Sequence, residues 1–158
     1  MIKKTIITLL IISPIVILAL EFYSSPSRTN PPQVLVGTWA TEAKIPTGNF
    51  QIFFNLHEDG TVEGTVGDAT MHNAYFGKNR VWLIKLLGMA TDYTIAGDLN
   101  GPIISGIRCD KFYIILYDCK FSEKDFKGDI DCKECWKDGK KHVSFGDGPL
   151  IYARIKQP

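Results

Sequence analysis

Short apolar stretches separated by turn residues run through the chain from residue 34 onward. Residues 61–66 alternate, with Val62, Gly64 and Val66 on one face and polar side chains on the other. A period of two is typical of a strand with one buried face. The pattern predicts strands at residues 34–42, 50–56, 61–66, 69–76, 92–96, 103–108, 112–117, 126–131, 142–145 and 150–155.

Turn residues punctuate these strands at regular intervals. Asp59-Gly60 predicts a tight hairpin, because Asp-Gly adopts the positive φ angles that such a turn requires. Further turns are predicted at residues 77–79, 97–101, 137–139 and 146–149. About 8–10 short strands at this spacing predict an all-β fold, either an antiparallel β-barrel or a β-sandwich. Residues 81–87 are apolar at nearly every position, and both a short helix and a buried strand fit them.

The first 23 residues have a different pattern. Lys3 and Lys4 precede an apolar run, residues 5–20, that ends at Glu21. This arrangement is typical of a signal peptide and equally of an uncleaved anchor with its N-terminus in the cytoplasm. As a helix the run spans ~24 Å, against ~30 Å for the hydrocarbon core, so length does not decide between them. We expect an N-terminal membrane helix, with residues 1–23 a signal anchor or signal peptide that contacts the cytoplasmic-membrane bilayer through residues 5–23.

The rest of the chain divides into two parts. Residues 24–33 are rich in serine and proline and predict an extended spacer. Residues 34–158 have the length of one domain, the predicted β-barrel. We expect this domain in the cell envelope, on the extracytoplasmic side of the membrane, either anchored or secreted. The net charge of +1, with no basic run after Lys4, argues against nucleic acid as a partner.

Three motifs carry a family resemblance. Gly37-Thr38-Trp39 opens the first predicted strand, Thr91-Asp92-Tyr93 lies mid-chain, and Arg154 lies in the last predicted strand. Together they resemble the lipocalin and avidin group, the calycin barrels. The resemblance implies an antiparallel barrel in which Trp39 plugs one end beneath Arg154, and it transfers no ligand. The chain also resembles uncharacterised exported bacterial domains, which imply no activity.

The four cysteines predict disulfide chemistry, because an exported domain experiences oxidising conditions. If residues 122–125 and 110–111 form turns, the strand register gathers Cys109, Cys132 and Cys135 at one end of the sheet and places Cys119 at the other. Cys132 and Cys135, three apart, would then point to opposite faces. We expect Cys109 to bond with Cys135, or failing that with Cys132. Cys119 would stay unpaired or reach the remaining thiol through a bulge.

Cys132-x-x-Cys135 also allows a thiol or zinc protein. Zinc could take Cys132, Cys135 and His142, with Cys109 or Cys119 as the fourth ligand. Acidic neighbours disfavour a redox pair, since they raise thiol pKa values, and no second Cys-x-x-Cys supports zinc. The sequence shows no catalytic motif and indicates no cofactor, so nothing points to an enzyme.

The leading hypothesis is therefore a membrane-tethered or exported β-barrel that acts as a binding or interaction module. If it binds a small apolar ligand, we expect the barrel mouth to be lined by residues such as Phe53, Phe54 and Tyr93. The first alternative is an envelope structural domain with a filled barrel. The second is a thiol or zinc protein that uses Cys132 and Cys135. An internal apolar cavity would favour ligand binding, and a filled interior would argue against it.

Overall fold

The computed structural model describes residues 26–45, 48–78, 93–117 and 121–155. These residues form strands and one short 3₁₀-helix, Gln33–Leu35. The strands are β1 (Ser27–Arg28), β2 (Gly37–Ile45), β3 (Gly48–Leu56), β4 (Val62–Val66), β5 (Ala69–Lys78), β6 (Tyr93–Asn100), β7 (Pro102–Ile104), β8 (Ile107–Leu116), β9 (Asp125–Lys137) and β10 (Lys140–Arg154).

Eight of these strands close into an antiparallel barrel. Each long strand pairs with the next one along the chain in the order β2-β3-β4-β5-β6-β8-β9-β10, and β10 returns to pair with β2. β7 forms a small hairpin on β8, and β1 pairs with the end of β5. The all-β antiparallel prediction is confirmed, and of its two alternatives the barrel is the correct one.

The alternation of the sequence sorts side chains between the interior and the surface. In β3, for example, Phe50, Ile52, Phe54 and Leu56 are buried, whereas Phe53 between them is exposed. Buried apolar residues from all eight barrel strands form one continuous core. A closed sheet with one apolar face is a stable solution, because it buries that face and leaves no unpaired edge.

Several predicted turns lie inside strands. Residues 110–111 belong to β8, and residues 97–100 belong to β6, where Gly97 lets Ala74 pack against the backbone. Residues 146–149 lie within β10, which absorbs them by a register shift between Asp147 and Leu150. Conversely, the predicted strand 103–108 is a hairpin that turns at Gly106, whose φ is 78°. The Asp59-Gly60 turn is confirmed, with Gly60 at φ 80°.

The start of the described chain is attached to the barrel. Ser27 and Arg28 pair with Lys78 and Gly77 of β5. The Tyr75 hydroxyl donates to the Pro26 carbonyl at 3.2 Å, and the Arg28 guanidinium lies 5.2 Å from the Tyr75 ring centroid. Part of the predicted spacer 24–33 is thus ordered against the domain.

Some predictions fall outside the described residues. They are the N-terminal helix at residues 1–23, the apolar stretch 81–87, the Thr91-Asp92 part of the second motif and Cys119. Among the described segments, no helix has the length and apolar character needed to cross a membrane.

Candidate functional site

One barrel end is covered by an indole beneath a guanidinium. Trp39 is fully buried, and its Nε1 donates to the carbonyl of Leu35 at 2.7 Å. The Arg154 Cζ lies 4.5 Å from the Trp39 ring centroid. The two residues are also partners in the β2–β10 ladder. The short helix Gln33–Leu35 therefore supplies the acceptor that fixes the indole, and the last strand supplies the cation above it.

Arg154 also ties separate chain segments together. Its guanidinium donates to the carbonyls of Val34 and Val36, and its Nε donates to the Glu123 carbonyl at 2.7 Å. Gly37 makes this arrangement possible. Its φ is +127°, and a Cβ there would lie 2.7 Å from the Arg154 guanidinium nitrogen. The two residues of the opening motif thus have separate physical roles. Gly37 leaves space for the Arg154 guanidinium, and Trp39 provides the large buried side chain.

Aromatic rings fill the interior next to this end. The Trp39 and Phe126 ring centroids are 4.8 Å apart, and those of Phe126 and Tyr152 are 4.9 Å apart and stacked. Phe54 approaches the Tyr152 ring at 5.8 Å. These distances lie within the range of direct aromatic contact. Among the described residues, this part of the interior is therefore packed with aromatic side chains.

The three residues predicted to line a ligand site do not share a surface. Phe54 is fully buried in the aromatic cluster, while its neighbour Phe53 points outward and is 42% exposed. Adjacent strand residues face opposite sides, so both could not have lined one cavity. Tyr93 lies elsewhere, with its ring stacked on Phe76 at 5.1 Å and near Phe121 at 6.0 Å.

Apolar side chains cluster on the outside of the barrel. We call this cluster the outer apolar patch, and it consists of Phe53, Ile151, Ile155, Ala40 and Ala153. Phe53, Ile151 and Ile155 are exposed by 42%, 60% and 42%. Ala40 lies between them, paired with Ala153 on one side and Phe53 on the other. Exposed apolar side chains that cluster, unlike scattered ones, are typical of interaction surfaces.

A shallow polar groove of about 450 Å³ adjoins the patch at Ile155. Thr38 and Asn55 contact each other across its floor at 3.4 Å. The Asn55 amide is 3.5 Å from His57 Nε2, which lies 3.7 Å from a Glu63 carboxylate oxygen. The groove therefore offers hydrogen-bonding groups at the edge of an apolar surface. A second groove, of about 330 Å³, lies on the outer side of β8 and β9 beside Trp136.

The disulfide prediction is confirmed, although the register behind it was wrong. Cys109 and Cys135 are bonded, with their Cα atoms 4.1 Å apart. They are direct partners in the β8–β9 ladder. The predicted register opposed Cys119 to Gly128, whereas Leu116 takes that position. The error arose because residues 117–124 separate β8 from β9, more than the four-residue turn that was expected at residues 122–125. In addition, β8 continues through residues 110–111, where a second turn was expected.

Cys132 and Cys135 both point inward, contrary to the expectation that they face opposite sides. Cys132 is fully buried and Cys135 is 2% exposed. Glu134 between them has a φ of 53°, which interrupts the alternation of β9. Cys132 is a free thiol, and burial, with a smaller contribution from Asp131, raises its pKa to about 12. With Cys135 bonded to Cys109, the Cys-x-x-Cys pair is not a dithiol. Among the described residues no group of three or more His, Cys, Asp or Glu side chains could hold a metal ion, while Cys119 and the His142 side chain lie outside that part of the chain.

The outer apolar patch is what the sequence reasoning missed. Its signal was present in the alternation, because Phe53 falls on the polar face of β3 and Ile151 and Ile155 fall on that of β10. Comparison of this chain with protein-family models, with curated proteins and with solved structures finds no match. The function must therefore be argued from the geometry alone.

Proposed function

We propose that this protein is an interaction module of the cell envelope, a small β-barrel that is held or released outside the cytoplasmic membrane and binds a partner with its outer surface. The observation that carries the proposal is the outer apolar patch. All three large apolar side chains that are exposed among the described residues, Phe53, Ile151 and Ile155, lie within it.

The interior argues for the outer surface as the binding site. Trp39, Phe54, Phe126 and Tyr152 pack against one another in the interior next to the end covered by Arg154, which supports an outer rather than an inner binding surface at this end. The contact between Trp39 and Arg154 supports a calycin-like arrangement at the closed end. We infer that the barrel keeps this framework and uses a filled core for stability.

Export is supported by two features. The apolar run at residues 5–20, preceded by Lys3 and Lys4, has the pattern of a membrane-targeting segment. The bond between Cys109 and Cys135 is typical of an oxidising compartment. A cytoplasm-specific reporter enzyme fused after Pro158 should be inactive, and activity would refute the proposed location.

Photo-crosslinking tests the binding surface. A photoreactive phenylalanine analogue replaces Phe53 in the full chain, which is expressed in its native envelope and irradiated. We expect a covalent adduct with another polypeptide. The control carries the same analogue at Lys111 on β8, the strand opposite β3 in the eight-strand cycle, and should give no adduct. An absence of adducts at Phe53, or equal adducts at both positions, would overturn the proposal.

A further inference from the structure

We propose that the groove beside Trp136 is a binding site for an acidic saccharide, a sugar chain that carries carboxylate or phosphate groups. The groove is separate from the outer apolar patch, so the inference goes beyond the proposed function and does not depend on it. Three features support it: the open indole of Trp136, the ion pair beside it, and the charges of the surrounding strands.

The indole of Trp136 is open to the outside of the barrel. Trp136 is half-buried on β9, between its ladder partners Arg108 on β8 and Lys141 on β10. Trp39, in contrast, is fully buried, lies under Arg154 and donates a hydrogen bond. Within the described part of the chain, Trp136 has neither a cation above its ring nor an acceptor for its Nε1 hydrogen. A ring face and an N–H donor are therefore available to a ligand.

An ion pair supplies polar groups at the edge of this indole. The Arg108 Nε lies 3.4 Å from a carboxylate oxygen of Asp110, and these two side chains line the groove of about 330 Å³ together with Trp136. The Arg108 and Asp110 side chains are exposed by 64% and 38%, so both retain contact with solvent. A guanidinium only donates hydrogen bonds and a carboxylate only accepts them. Neighbouring hydroxyl groups of one ligand could therefore bond to both.

The groove thus combines the two kinds of surface that a sugar ring requires. A pyranose ring has a face of C–H groups, which packs against an aromatic ring, and an edge of hydroxyl groups, which both donate and accept hydrogen bonds. Trp136 provides the first contact, and Arg108 and Asp110 provide the second. The volume lies at the lower end of the ~300–1,000 Å³ typical of ligand sites, which suits a short part of a sugar chain.

The charges around the groove favour an acidic ligand. Further along β8 and β9, Lys111 pairs with Glu134 and Lys133 pairs with Asp131, so these charges offset each other. Basic side chains outnumber acidic ones nearer to Trp136: Arg108, Lys137, Lys140 and Lys141 against Asp110 and Asp138. The three lysines of this group form no ion pair within the described residues. The excess positive charge attracts an anion and repels a quaternary ammonium, another common ligand of an open indole.

The position of the groove argues against a membrane surface as its ligand. The ordered start of the chain pairs with the last residues of β5, at the barrel end where β8 reaches Leu116. Arg108 lies ~27 Å from Leu116 along β8, at ~3.4 Å per residue. A domain held to a membrane by its N-terminal segment would therefore present the groove away from the bilayer. All three large apolar side chains that are exposed among the described residues lie in the outer apolar patch, so none beside Trp136 could insert into lipid.

Equilibrium binding to the full chain tests the site. The protein is purified with its disulfide intact, in a detergent that lacks sugar head groups. It is titrated with fluorescein-labelled oligomers of galacturonic acid and of mannose phosphate, and binding is followed by fluorescence anisotropy. We expect one of these acidic oligomers to bind about tenfold or more tightly than galactose and mannose oligomers of the same length, and to bind more weakly at high salt. Which oligomer binds distinguishes a carboxylate from a phosphate ligand.

Substitutions show whether the binding occurs at the groove. Trp136→Ala should weaken it about tenfold or more, whereas Trp136→Phe, which keeps an aromatic face, should retain most of it. Phe53→Ala removes a partly exposed ring elsewhere and should have no effect. Lys141→Ala should weaken binding about threefold, as expected for an exposed charge, and Lys127→Ala at the other end of β9 should not. Lys141 is exposed, so its variant tests the groove even if Trp136→Ala fails to fold.

Four results would overturn the inference. They are no binding of either acidic oligomer, equal binding of the neutral oligomers, equal binding of polyglutamate, which has the charge without the sugar ring, and unchanged binding by the folded Trp136→Ala and Lys141→Ala variants. Each of these results concerns the groove alone and leaves the outer apolar patch to its own test.

Discussion

Removing the indole of Trp39 is the most direct test of the barrel-end packing. The side chain is fully buried, contacts Phe126 at 4.8 Å and lies under Arg154 at 4.5 Å. Trp39→Ala deletes these contacts and leaves the Leu35 carbonyl without its indole donor. The closed architecture around the site limits how far the neighbours can collapse into the space.

The expected cost follows from the buried area. A buried tryptophan removes ~200 Å² from water, and at ~25 cal/mol per Å² this corresponds to ~5 kcal/mol, of which the alanine methyl retains a part. Measured substitutions of this kind cost ~3–5 kcal/mol. We therefore expect Trp39→Ala to lower the free energy of unfolding by ~3–5 kcal/mol, a large share of the ~5–15 kcal/mol typical of a domain.

Urea unfolding with the disulfide intact measures this loss. With a slope of ~2 kcal/mol per M, the midpoint should fall by ~2 M. Phe53→Ala is the matched control, because it removes an aromatic ring from the exposed side of the adjacent strand, and it should cost less than ~1 kcal/mol. A loss within about 0.5 kcal/mol for Trp39→Ala would refute the argument that the indole plugs the barrel end.

Three further predictions concern single features of the fold. Gly37→Ala should lower the thermal midpoint, because it forces a positive φ on alanine and pushes its Cβ into the Arg154 guanidinium; an unchanged midpoint would contradict this. Cys132 should resist alkylation in the native state at pH 8, since its raised pKa of about 12 keeps the buried thiol protonated, and peptide mass spectrometry should find it labelled only after unfolding. Replacing Cys109 and Cys135 together by alanine should cost ~3–4 kcal/mol in urea unfolding, from the chain entropy of a 26-residue separation.

The sequence was sufficient for the class of fold because each strand carries its own alternation and each hairpin its own turn residues. It was insufficient to predict which residues of neighbouring strands pair. That pairing depends on where each turn lies, and glycine and charged residues occur both in turns and in strands. Residues 110–111 look like a turn, yet they continue β8 because Asp110 and Lys111 face solvent and form surface ion pairs with Arg108 and Glu134. Whether such a segment forms a turn or continues a strand is decided by its pairing with the neighbouring strands, which the local sequence does not show.

The disulfide could be predicted in spite of this error, for a reason that lies in the geometry. The expected register brought Cys109 and Cys135 to the same end of the sheet, and the bond forms there because the two residues are direct ladder partners, with Cα atoms 4.1 Å apart and within the limit of about 7 Å for a bridge. The inward position of Cys132 could not be predicted in the same way. It depends on the positive φ of Glu134, a local backbone choice that a non-glycine residue rarely makes.

The patch and the barrel closure meet at one seam, between β10 and β2. This ladder has two residue pairs, Ala153 with Ala40 and Arg154 with Trp39, whereas β2 and β3 share nine. Closing it joins the two ends of the domain, which costs loop entropy, and few backbone hydrogen bonds offset that cost. Arg154 compensates by donating to three carbonyls on two segments, those of Val34 and Val36 and that of Glu123.

The outer apolar patch lies directly over this seam, since Ala40 and Ala153 form its centre. A partner seated there would cover a ladder of two residue pairs and hold both strands at once. Because a ligand that binds only the folded state stabilises it, partner binding and seam closure must be thermodynamically linked. The barrel can therefore couple its stability to a binding event on its outside, through the surface where its first and last long strands meet.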